Sequence, residues 1–94
     1  MAGSSEELRL KAVFTLTDML HNSENITKAI EEGVPATLHR LLRDGSPVIR
    51  ARTAEVVTIL ASHSIGRSSI LKNEMIPTLA LLVSTYFRDI WTYS

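Results

Sequence analysis

The chain has 94 residues, enough for one domain, of which 45% are hydrophobic and 21% charged, an ordinary globular balance. Ten basic residues offset ten acidic ones, so no long-range field of one sign draws it to nucleic acid or to a membrane surface. Cysteine is absent, which removes disulfides, thiolate metal sites and cysteine nucleophiles and fits a reducing compartment such as the cytoplasm. The small, acidic start has no basic n-region and no apolar h-region, so no signal peptide is expected. No apolar run approaches the ~18 residues of a spanning helix.

Ser4 stands three residues before Glu7, the spacing of a capping box, and predicts a helix running to His21. Leu8, Ala12, Leu16, Met19 and Leu20 recur at three- and four-residue steps, which makes one stripe apolar. Asn22 and Ser23 break it. Ser23 is placed to cap a short helix over 24–32, which Gly33 ends in a left-handed conformation. A third helix is predicted over 34–43, with Leu38, Leu41 and Leu42 inward, and Asp44 and Gly45 make a turn. Ser46 then caps and Pro47 suits the first position of a fourth helix over 47–62, which buries Ala54, Val57, Leu60 and Ala61. A short helix ends near Asn73. The last begins around Met75 to Pro77 and carries Leu79, Leu82, Val83, Tyr86 and Phe87. No segment alternates with period two, and the prolines at 35, 47 and 77 sit near predicted helix starts, which disfavours buried strands.

The chain also repeats itself. Displaced by 41 residues, Val13 falls on Ala54, Leu16 on Val57, Thr17 on Thr58 and Met19 on Leu60. The same displacement of 41 puts Ala29 on Ile70, Ile30 on Leu71, Leu38 on Leu79 and Leu41 on Leu82. A repeated helical unit cannot bury its apolar face alone and stacks on copies of itself.

The residues of one such unit carry a family pattern. The run 22–25 (Asn-Ser-Glu-Asn), the run 29–35 (Ala-Ile-Glu-Glu-Gly-Val-Pro), then Leu38, Leu41 and Leu42, then Ser46 to Arg50 with Ala54, Val57, Leu60 and Ala61, resemble an armadillo repeat. The resemblance implies an all-α, armadillo/HEAT-like right-handed superhelix of about two repeats, forming a single domain over 1–94. It makes 5–21 the third helix of a partial repeat, 24–62 a complete repeat, 65–87 the first two helices of another, and 88–94 a divergent tail. Two stretches, 11–21 and 53–67, the latter with the run His63-Ser64-Ile65-Gly66-Arg67, are similar to armadillo-type proteins of the radial spokes of motile cilia and flagella. That likeness implies a non-catalytic scaffold in the axoneme, with spoke or other axonemal proteins as partners. The alternative is a general armadillo-type adaptor that takes an extended peptide in its groove, unrelated to cilia. Such proteins are longer arrays, so the chain is expected to be a fragment, a short isoform or a partial product. Its open repeat ends imply self-association.

In this family the third helix lines the concave face. The positions matching the groove residues of importin-type members are Phe14 and Asp18 in the first copy and Glu55 and Ile59 in the second; with Lys11 and Arg52 they make the candidate partner-binding groove, and for Phe14 and Ile59 the competing role is packing between helices. The Trp and Asn that importin-type members carry there are missing, so nuclear-import cargo is not expected. Arg40, Arg43 and Arg50, with Arg52, bracket the turn at Asp44, as a solvated rim or as a site for an acidic segment or phosphates. Tyr86, Phe87, Ile90 and Trp91 share one apolar face, an end cap or an exposed, association-prone patch. Asp18, His21 and Ser23 hold the residue types of a hydrolytic triad, but three neighbours at a helix end supply no oxyanion hole; helix-end pairing is the simpler role. With no metal-ligand spacing, no phosphate-binding glycine loop and no nucleophile elbow, neither catalytic residues nor metal nor cofactor is expected.

Overall fold

The computed structural model describes the backbone of residues 2–93 and the side chains of residues 5–85 and of Arg88. Among these the protein is all-α, with helices α1 (Ala2–His21), α2 (Glu24–Glu31), α3 (Val34–Leu41), α4 (Pro47–Ala61), α5 (Ser64–Lys72) and α6 (Met75–Tyr93). Helix ends fall within two residues of the predicted ones except at the two termini. α1 already includes Ser4, so the capping box expected at Ser4 and Glu7 does not start it. α6 continues to Tyr93, so the backbone of the stretch expected as a divergent tail extends that helix.

Each junction has an identifiable chemistry. Ser46 accepts from the Ile49 amide at 3.4 Å, and Pro47 follows as the first helical residue of α4, a serine cap with proline behind it. Gly33 turns the chain from α2 to α3 at φ +86°, a left-handed conformation that costs glycine nothing. Glu74, displaced by 41 residues from Gly33, repeats that turn between α5 and α6 at φ +56°, at a cost of roughly 1 kcal/mol for a residue with a Cβ. Ser23 does not cap α2 as expected: its backbone is helical and its side chain makes no capping bond. Asn22 does so instead, its Oδ1 accepting from the Glu24 amide at 3.0 Å. The neighbouring Asn25 closes the end of α1 by donating from Nδ2 to the Met19 carbonyl at 3.0 Å.

Helices three apart in the chain pack on each other. α1 packs chiefly on α4, and α2 packs on α5. His39 of α3 and Thr78 of α6 share a hydrogen bond of 2.8 Å. The core they enclose holds Val13, Leu20, Ile26, Ala29, Leu38, Leu41, Leu42, Ile49, Val56, Val57, Leu60, Ile70 and Met75. The apolar stripe expected on α1 is rotated by this arrangement. Val13 and Leu20 are fully buried and Leu16 is half-buried, while Leu8 is 66% exposed and Ala12 is exposed. Val83 also faces solvent: it stands on α6, the last helix among the described residues.

A polar hub seats the N-terminal half of α1. Arg9 donates from Nε to Asp44 Oδ2 at 2.7 Å and from Nη2 to Oδ1 at 3.1 Å. Asp44 Oδ1 also accepts from the Ser46 amide at 2.9 Å, and Ser46 Oγ donates to Glu6 at 2.6 Å. The Asp44 side chain is 10% exposed and that of Arg9 36%. The Arg9 hydrogen bonds first, and the Ser46 amide second, hold the Asp44 carboxyl below its ordinary range. The native state therefore binds this proton less readily than the unfolded chain, whose Asp titrates near pH ~3.9. The stabilisation is complete above that pH and is lost as pH falls through the lower, folded value. Asp44→Asn is expected to flatten the loss of stability below about pH 4, measured as denaturation midpoints across the acid range, and high salt is expected to shrink the difference because Arg9 is partly solvated.

Candidate protein-binding surfaces

The candidate groove residues lie on the solvent side of α1 and α4. Lys11, Phe14, Asp18, Arg52 and Glu55 are exposed, and Arg52 pairs with Glu55 at 3.0 Å. The two roles weighed for the apolar members separate here. Phe14 is 49% exposed and lines a shallow hollow of about 250 Å³ with Glu7, Leu10 and Lys11. Ile59 is half-buried and packs against the core. Phe14 is thus the exposed aromatic of this face.

The arginine cluster also divides. Arg40 and Arg43 are exposed and border a hollow of about 410 Å³ on the outer side of α3, with Ala36 and His39. Arg50 is half-buried and donates from Nη1 to the Asp44 carbonyl at 2.7 Å. Its charge is committed to closing the turn, so the rim reduces to Arg40 and Arg43. Asp18, His21 and Ser23 are all exposed and make no side-chain hydrogen bonds to one another among the described residues. The side chains of Tyr86, Phe87, Ile90 and Trp91 lie outside the described residues.

One apolar hollow is not singled out by periodicity along the chain. α4, α5 and α6 enclose an open groove of about 490 Å³. Ala54, Val57, Thr58 and Ala61 of α4 form one side, with Arg67, Ile70 and Leu71 of α5 and Ile76 and Leu79 of α6 completing it. Leu71 and Ile76 are 66% and 50% exposed. Moved back by 41 residues, the α4 lining becomes Val13, Leu16, Thr17 and Leu20. The α5 lining becomes Ile26, Ala29 and Ile30, and the α6 lining Pro35 and Leu38. Every one of those positions is buried or half-buried where α4 and α5 pack onto α1, α2 and α3.

The converse holds at the other end. Ile49, Thr53, Val56 and Leu60 form a stripe of α4 with no exposure. Their partners 41 residues earlier are Leu8, Ala12, Thr15 and Met19, of which the first three are exposed and Met19 is half-buried. The signal for both surfaces lies in the 41-residue offset: Leu8, Ala12, Thr15, Leu71 and Ile76 are exposed although their counterparts are buried or half-buried.

Among the described residues no group of His, Asp and Glu is placed to hold a metal ion, and no helix is long and apolar enough to cross a membrane. No family model matches the chain, and no solved structure matches it at a significant level.

Proposed function

We propose that this chain is a non-catalytic protein-binding scaffold of armadillo type, made of one complete repeat flanked by parts of two others. The observation that carries this reading is the residue-by-residue correspondence, at an offset of 41, between the open groove of α4, α5 and α6 and the buried seat on α1, α2 and α3. Stacked repeats produce that relation, because each unit buries against the next the surface that the last unit leaves uncovered. A right-handed superhelix is what the armadillo resemblance implies for a longer stack of this kind.

Partners are other proteins, engaged through the solvent face of α1 and α4. Phe14 supplies an aromatic anchor there, and Lys11, Asp18, Arg52 and Glu55 a rim of mixed charge. Aromatic residues are enriched at the centre of protein interfaces with a polar rim around them, and a few such anchors carry much of the binding energy once desolvated. The stretches 11–21 and 53–67 resemble the radial spoke head 14 homologue, also called rhabdoid tumour deletion region protein. That resemblance supports a scaffold of the cytoplasm and of the axoneme of motile cilia or flagella.

The test is to express the tagged chain in ciliated cells and identify what co-purifies. Spoke or dynein-related axonemal proteins are the expected partners; a set made only of trafficking or signalling proteins would instead favour an adaptor unrelated to cilia. Phe14→Ala is expected to weaken capture of the principal partner by roughly tenfold or more without changing the denaturation midpoint. Retention unchanged by Phe14→Ala would remove this face from the proposal.

A further inference from the structure

We infer that two copies of this chain associate head to tail, the α1 of one copy seating in the groove formed by α4, α5 and α6 of the other. The inference rests on the repeat reading above and deepens it by naming the groove's occupant.

Three observations carry it. First, no helix among the described residues covers the groove. After α3 the backbone turns at Asp44 and Gly45 and returns as α4. α6, the counterpart of α3, continues to Tyr93, so among the described residues no helix folds back to where α4 would have its equivalent. Second, the missing helix has a definite pattern. The stripe that α4 buries is Ile49, Thr53, Val56 and Leu60. α1 carries Leu8, Ala12, Thr15 and Met19 at the same helical positions, in the same small-and-large order, and leaves Leu8, Ala12 and Thr15 in solvent. Third, the two ends are complementary fractions of one unit. α1 stands where α4 stands in the complete repeat, and α5 and α6 stand where α2 and α3 stand. The α1 of a second copy therefore completes, with α5 and α6 of the first, the repeat that each chain holds split between its ends.

The surfaces joined are different, so the contact is heterologous and leaves one free groove and one free α1 face on every oligomer. Association is open-ended: the mean mass should keep rising with concentration and not stop at a dimer. Covering Leu71 and Ile76 on one side and Leu8 on the other removes apolar surface from water at both chain ends.

Complementary blocking of the full chain, followed by sedimentation velocity, tests this. Leu71→Glu places a charge in the groove wall and leaves α1 intact. Ala12→Glu places a charge in the middle of the α1 face and leaves the groove intact. Both positions are exposed, and retained helicity by circular dichroism confirms that each variant folds. Wild type is expected to form a concentration-dependent series. Each variant alone should be monomeric, because every possible contact then meets one charged face. Mixed, they should form a 1:1 heterodimer and nothing larger, with the Leu71→Glu copy donating its α1 to the groove of the Ala12→Glu copy.

A wild-type chain that stays monomeric as concentration rises would overturn the inference and leave the groove to a helix of another protein. Continued association of either single variant would also overturn it, in favour of a two-fold contact or one through the C-terminal part of α6. Monomeric behaviour with Leu60→Ala still destabilising sinks only the assembly; Leu60→Ala without effect sinks the repeat packing beneath it.

Discussion

Gly66→Ala destabilises the protein by about 2 kcal/mol, the net of two opposing terms. Alanine is the better helix former, which alone would favour the substitution by about 1 kcal/mol in a helix. Packing reverses the sign. Gly66 is buried in the first half of α5, and a Cβ there would collide with the Leu60 carbonyl oxygen, reaching 2.8 Å from the carbonyl carbon and 3.1 Å from Leu60 Cγ. The obstacle is backbone, so no rotamer change relieves it. The same oxygen accepts the His63 amide at 3.3 Å, which ties it to the tight turn between α4 and α5. The two helices must therefore move apart, opening the core on either side. Urea midpoints measure the loss. Gly45→Ala is the control: nothing lies within 4 Å of its Cβ position, and its effect should stay within about 0.5 kcal/mol. Equal midpoints for Gly66→Ala and wild type would mean that α5 does not approach α4 this closely.

The same glycine shows how far the sequence can be read. The run from His63 to Arg67 stands out as a pattern, but nothing in it says that Gly66 must meet a backbone carbonyl of the preceding helix. That constraint belongs to the crossing of two helices and is invisible to periodicity along one. Helix positions are legible because their signals are local: Ser46 with Pro47, Gly33, and apolar steps of three and four. The cap of α2 is not, because Asn22 and Ser23 are both competent caps, and the choice between them depends on where α1 ends. The facing of α1 is hidden for a different reason. Leu8, Ala12 and Met19 do form a stripe, one that this chain leaves open, while the stripe through Val13, Leu16 and Leu20 takes the core. A helix that stacks on both sides carries two apolar stripes, and only the arrangement of its neighbours shows which of them is covered.

The candidate surfaces divide along the same line. Phe14, Lys11, Asp18, Arg52 and Glu55 can be placed together because the 41-residue offset aligns α1 with α4. Arg50 cannot be told from Arg40 and Arg43 in sequence, since its role comes from a carbonyl brought near by the turn at Asp44. The groove escapes notice because its members come from three helices and, Thr58 and Arg67 apart, have the character of core residues. Val57 and Ile70 already belong to the core, and Leu71 and Ile76 are apolar members left exposed.

Leu60→Ala is expected to cost about 2–5 kcal/mol, out of a total that for a domain of this length amounts to roughly 5–14 kcal/mol. Leu60 has no solvent exposure and lies in α4, the helix that packs on α1, α3 and α5, so truncation forfeits its transfer free energy and leaves a cavity. The surrounding helices are tied by the Arg9 and Asp44 hub at one end and by the close contact at Gly66 at the other, which limits collapse into the void and favours the upper part of the range. A double mutant separates these contributions. The Gly66 collision is chiefly with the Leu60 carbonyl, which alanine retains, and only secondarily with Cγ, which alanine removes. Leu60→Ala and Gly66→Ala should therefore nearly add, with a coupling below about 1 kcal/mol, at the low end for residues in contact. Strong coupling would show that the side chain, not the carbonyl, sets the distance between α4 and α5. A midpoint unchanged by Leu60→Ala alone would mean that α4 does not bury this stripe, and the head-to-tail seat, which repeats the same packing between copies, would lose its template.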